Sequence, residues 1–101
     1  MIRHIAVFRF APAFTAEQRE HWMSLLRALP AQIPELRSIS VGTDVLEGPS
    51  SHELAIVADF VDLDGLDAYT RHPAHAEVLR ISAPVKVSLT VIVYWTSESA
   101  P

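Results

Sequence analysis

Along the first ten residues two sets of side chains alternate. Ile2, His4, Ala6, Phe8 and Phe10 form one set, and Arg3, Ile5, Val7 and Arg9 the other. A period of two predicts a strand over Ile2–Phe10 whose second face is also largely apolar. Ala11-Pro12-Ala13-Phe14 reads as a connection, after which the period changes. Trp22, Leu25, Leu26 and Leu29 recur at the i, i+3, i+4 and i+7 spacing of an amphipathic helix. Thr15 and Gln18 are spaced as a capping box that starts it, and Glu17, Arg19 and Glu20 mark its outward side. Pro30 and Pro34 stop it, so the helix is expected to end near Leu29.

The second half repeats the theme. Leu36 to Val41 alternates again and predicts a second strand. Gly42 to Ser51, which contains Gly48-Pro49-Ser50-Ser51, predicts a turn-rich loop. Leu54 to Val61 is nearly continuously apolar, as in a strand covered on both faces. Asp62 is placed to cap a helix starting at Leu63. Pro73 breaks that helix and restarts a new turn, with Ala74 to Ala83 continuing it and Pro84 ending it. Val85 to Trp95 is β-branched and alternating, a last strand. Thr96 to Pro101 reads as a loose tail.

The predicted order is β-α-β-β-α-β. That is the α+β, ferredoxin-like pattern: a four-stranded antiparallel sheet with its helices on one face. The other face of the sheet then needs cover, because the first, third and last strands are apolar on both sides. Packing two copies sheet to sheet, as a dimeric α/β barrel, covers it, so a homodimer through the sheet face is expected.

Composition narrows the class. A chain of 101 residues, half of them hydrophobic, is one domain spanning 1–101 with one core. A net charge of −4, with no arginine-rich run, argues against nucleic acid and against an anionic membrane surface. No segment approaches the roughly 20 apolar residues of a membrane span, and the N-terminus lacks the continuous apolar run of a signal peptide. The absence of cysteine excludes thiolate chemistry and disulfides. A cytoplasmic location is the expectation.

Chemically competent side chains are few, and they cluster. Tyr69-Thr70-Arg71-His72-Pro73-Ala74-His75 holds three of the chain's five histidines and two tyrosines. The break at Pro73 lets Tyr69 and His75, six residues apart, turn toward one pocket. His75 is the candidate base, since imidazole titrates near working pH, and Tyr69 the candidate hydrogen-bond donor to a developing enolate. His4 reaches the same pocket if its face of the first strand looks toward the helices. Phe8, Trp22, Met23 and Leu26 supply apolar walls. His72 is a further candidate, although a residue before proline also serves as a local cap. Tyr69 and the stripe around Trp22 have an alternative role as core, and His75 and His4 an alternative role as structural histidines, His4 meeting a backbone partner. His21 and His52 are expected to be exposed. His72 with His75, or Asp59, Asp62, Asp64 and Asp67, are weighed as metal ligands. Neither set is completed by further ligands, and no metal or cofactor is expected.

Three stretches, Met1 to Phe10, Leu29 to Pro34 and Ala68 to His75 with its Tyr-x-x-His-Pro-x-His spelling, resemble the stress-responsive α/β-barrel (Dabb) family of the dimeric α/β-barrel superfamily. The resemblance spans nearly the whole chain. It implies a polyketide cyclase-like activity of the olivetolic acid type, an aldol closure that uses no metal or organic cofactor. The catalytic histidine then falls on His75, the catalytic tyrosine on Tyr69 and a pocket histidine on His4. Two further polar pocket positions of those cyclases are Leu54 and Leu26 in this chain. The expected ligand is small and hydrophobic or a β-keto compound, handled by a cyclase or lyase. The alternatives are a non-catalytic, stress-responsive or ligand-binding dimer, and a cofactor-free monooxygenase of the same superfamily.

Overall fold

The structure, a computed structural model, describes residues 1–96. Its elements run β1 (Ile2–Phe10), α1 (Ala16–Arg27), a short 3-10 turn (Leu29–Ala31), β2 (Leu36–Thr43), β3 (Leu54–Phe60), α2 (Leu63–Arg71), α3 (Pro73–Ser82) and β4 (Lys86–Trp95). The strands form one antiparallel sheet in the order β2-β3-β1-β4. The ferredoxin-like order read from the sequence is the one observed.

Local chemistry sets the boundaries. Thr15 and Gln18 form the reciprocal capping box, each side chain taking the other's backbone N–H. α1 stops two residues earlier than its apolar stripe suggests. Pro30 disfavours helix at Leu29 and offers no N–H, so the chain tightens into the 3-10 turn. β2 extends past Val41, because Gly42 and Thr43 pair with Ala55 and Leu54 in the ladder. Asp62 caps α2 through Gly65 N–H. Thr96, expected in a loose tail, is held by a bond from its N–H to the Met1 carbonyl (2.9 Å). The rest of that tail lies outside the described residues.

The alternation sorts the sheet into two faces. Ile2, Ala6, Phe8 and Phe10 of β1, with Leu54, Ile56, Ala58 and Phe60 of β3, are buried toward the helices. Trp22, Met23 and Leu26 of α1, Tyr69 of α2 and Val78 of α3 close over them. The opposite face carries a polar row and an aliphatic patch. Arg3 grips Asp59 through two bonds of 2.9 Å, with Ser38 and Tyr94 in register beside them. Behind this row lie Ile5, Val57 and Ile92, also in register. β4, an edge strand, is exposed along most of its length.

Candidate active site

The site is made by the break between α2 and α3. His72 precedes proline, which disfavours helical backbone, and it is extended (φ −69°, ψ 138°). Its ring Nδ1 accepts from Ala74 N–H at 3.0 Å, so His72 is the N-cap of α3. Pro73 occupies the first turn, where its missing N–H costs nothing. The new direction brings His75 back against the end of α2. Its Nδ1 lies 3.3 Å from the Thr70 carbonyl, one of the acceptors that the end of α2 frees. A carbonyl only accepts, so this bond assigns the proton to Nδ1 and leaves the lone pair on Nε2. The rings of Tyr69 and His75 are 4.2 Å apart, centroid to centroid.

Both side chains border a cavity of about 180 Å³. The sheet contributes His4, Ala6, Phe8, Ile56, Leu89 and Val91. Trp22 and Leu26 come from α1, Tyr69 and Thr70 from α2, and Val78, Leu79 and Ser82 from α3. Among the described residues the Tyr69 hydroxyl has no protein partner, and no sealed side-chain polar atom is left unpaired. The hydroxyl is therefore not sealed within the core. Larger clefts of 410, 520 and 490 Å³ lie on the surface, around the β2–β3 loop and between α1 and α3, and are more open to solvent.

Burial governs the electrostatics. It lowers the pKa of His75 below 6.5, partly opposed by the bond to Thr70. Burial lowers His4 as well, and repulsion from His75 adds to it. The Tyr69 phenol is pushed up to about 12, again by burial. A neutral imidazole and a neutral phenol at neutral pH are the forms needed for a base and a hydrogen-bond donor.

Of the residues singled out in the sequence, the fold brings His4, Phe8, Trp22, Leu26, Tyr69 and His75 together. It does not bring Met23 or His72. Met23 is buried in the core, and His72 is spent as a cap. His21 is exposed, but His52 is half-buried at the β2–β3 loop, against expectation. Ile56, Leu89 and Val91 were missed, because only the pairing of Ala6 with Ile56 and Val91, and of Phe8 with Leu89, puts them there. Ala6 was legible as a member of the His4 face.

Three of the four aspartates weighed as metal ligands are engaged elsewhere. Asp59 pairs with Arg3, Asp62 caps α2, and Asp67 bonds Arg71 at 2.7 Å. Among the described residues no group of three or more histidines, aspartates or glutamates has the arrangement of a metal site.

Residues 2–96 match the family described as Stress responsive A/B Barrel Domain. An uncharacterized protein of Streptomyces coelicolor is 30% identical over 77 residues, covering 74% of this chain and 79% of that one. A dimeric ferredoxin-like protein of unknown function from Thermobifida fusca superposes with a TM-score of 0.86 at 37% identity, over 94% of this chain and 90% of that chain. The hydroxynitrile lyase of Passiflora edulis shares the fold, with a TM-score of 0.83 at 21% identity over 99% and 96% of the two chains.

Proposed function

For a chain that belongs to the stress-responsive A/B barrel domain family, we propose a cofactor-independent cyclase- or lyase-type enzyme acting on a small, uncharged carbonyl compound. One observation carries this reading: a paired tyrosine and histidine, 4.2 Å apart, at the border of a mostly apolar hollow. His75 Nε2 removes a proton α to the carbonyl, and the C–H electron pair becomes the enolate. Tyr69 O–H donates a hydrogen bond to the oxygen that gains charge. The enolate carbon attacks a second carbonyl, and the proton on Nε2 passes to the new alkoxide. These are the roles that the cyclase resemblance assigns to the same two positions.

The cavity sets the class of ligand. A cavity of about 150 Å³ with apolar walls takes up benzene, so 180 Å³ suits one ring with a short substituent. Among the described residues no lysine, arginine, aspartate or glutamate lines it, so an anionic ligand finds no partner among them.

The test is deuterium exchange. Acetophenone and ethyl acetoacetate in D2O at pH 7.5 are followed by proton NMR with and without protein. Wild type accelerates loss of the α-proton signal. His75→Ala abolishes the acceleration, about 10²–10⁴-fold being the usual weight of a general base, and Tyr69→Phe reduces it. Binding without exchange in wild type overturns the catalytic reading and supports a ligand-binding protein instead.

The same reading includes a homodimer through the outer face of the sheet. The aliphatic patch of Ile5, Val57 and Ile92 supports it, as does the exposure of Ile92 and Tyr94 on β4. Sedimentation at micromolar concentration should give twice the chain mass, and a monomer overturns this part.

A further inference from the structure

Among the described residues the two most exposed large apolar side chains are not on the sheet. They are Val45 and Leu46, 95% and 80% exposed, at the tip of the β2–β3 loop. The loop is braced from within. The Asp44 carboxylate takes Glu47 N–H, the Ser51 hydroxyl takes Gly48 N–H, and Asp44 N–H donates to the Glu53 carbonyl. Glu47 adopts the left-handed region (φ 54°), which disfavours a side chain. A braced, strained turn that holds two aliphatic side chains in water is the form of an anchor, because solitary domains keep such groups apart or covered.

The candidate active site has a complementary defect. Leu79, Leu89 and Val91 border the cavity yet remain 44%, 40% and 45% exposed. The wall on the β4 side is therefore thin and greasy on its outside.

The sheet order connects the two features. β2 and β4 are its edges. The loop and Leu89 lie at the same end of the sheet: Phe8 pairs with Leu54 on one side and Leu89 on the other, and Glu53 N–H donates to the Phe8 carbonyl. When two sheets pack by their outer faces about an axis along the strands, each β4 comes beside the partner's β2, and like ends stay together. The loop of one copy then overhangs the Leu89 end of the other.

We infer that in the homodimer Val45 and Leu46 of one subunit lie on Leu79, Leu89 and Val91 of the other and complete the wall of its cavity. This rests on the dimer proposed above. The occupant is a second copy because the overhang continues the proposed sheet interface and both surfaces are aliphatic. Each active-site cavity is closed only in the assembled pair.

The absence of cysteine makes the test clean. Leu46→Cys and Leu79→Cys chains are mixed, refolded together and treated with oxidised glutathione, which accepts the electron pair as two thiols become a disulfide. A covalent dimer is expected in the mixture and not in either variant alone. A mixed-labelled wild-type dimer, read by isotope-filtered NOEs, should show methyl contacts from Val45 and Leu46 to Leu79 and Leu89 across subunits. A dimer by sedimentation with neither signal overturns the overhang and leaves the dimer standing. A monomer overturns the dimer and the overhang with it.

Discussion

The layer between sheet and helices has a solid end and a hollow end, and the same strand builds both. At the solid end Phe8 and Phe10 of β1 meet Phe14 and Trp22, with ring centroids 4.9–6.0 Å apart and mostly edge to face. At the hollow end β1 presents His4 and Ala6, and the broken helix brings Tyr69 and His75 over them. The change from large to small along one strand face opens the space. Trp22 belongs to both ends. It packs in the aromatic cluster, borders the cavity, and donates its indole N–H to the Val78 carbonyl of α3 at 3.0 Å. Rigidity at one end thereby positions the helix that carries His75 at the other.

The largest effect should come from weakening the solid end. Phe10 is buried and lies outside the cavity, so Phe10→Ala leaves a void among rings and should cost about 3–5 kcal/mol in chemical denaturation. A cost below about 1 kcal/mol would mean that the aromatic end is not what holds the fold. The next effect comes from one substitution made on neighbouring strands. Ala58 is fully buried on β3 and outside the cavity, whereas Ala6 borders it. Ala58→Leu should cost about 1–3 kcal/mol by overpacking, while Ala6→Leu grows into empty space at a cost under about 1 kcal/mol. Ala6→Leu should also abolish acetophenone binding. Equal costs at the two positions would erase the distinction between solid and hollow.

The solid end was far more legible in the sequence than the hollow one. The stripe of Trp22, Leu26 and Leu29, the Thr15 capping box and the alternation through Phe8 and Phe10 each encode their environment locally. The break at Pro73 was legible too, because proline constrains its own backbone and that of His72. The reach of His75 back to Thr70 was not, since it depends on the angle at which α3 leaves the break. Ile56, Leu89 and Val91 depend on strand register, which a single strand does not encode. Met23 and His72 show the opposite failure. Residue type suggested the pocket, but Met23 sits in the core beside it, and the nearest free donor, Ala74 N–H, claimed the His72 ring.

The smallest effect separates the two ends by pH. His4 and His75 have folded pKa values below 6.5, chiefly because burial disfavours their charged forms. As pH falls below 6.5 the unfolded chain takes up these protons first. Between 6.5 and the lowered values the unfolded state binds more protons, so stability falls with pH; above 6.5 this pair adds no pH dependence. Asp59, lowered by its bonds to Arg3, acts in the same direction but from 3.8 downward, which keeps its window separate. His75→Gln should therefore flatten the decline just below pH 6.5, and His4→Gln should do so too, since each removes one member of a mutually repelling pair. Phe10→Ala should shift the whole curve without changing that slope. The exchange rate should follow the same ionisation, lost only below pH 6.5, and should persist through pH 10 because Tyr69 keeps its proton to about 12. A wild-type decline that survives in both glutamine variants would place the titrating groups elsewhere. It would also remove the argument that burial at the hollow end holds His75 neutral and ready to act as a base.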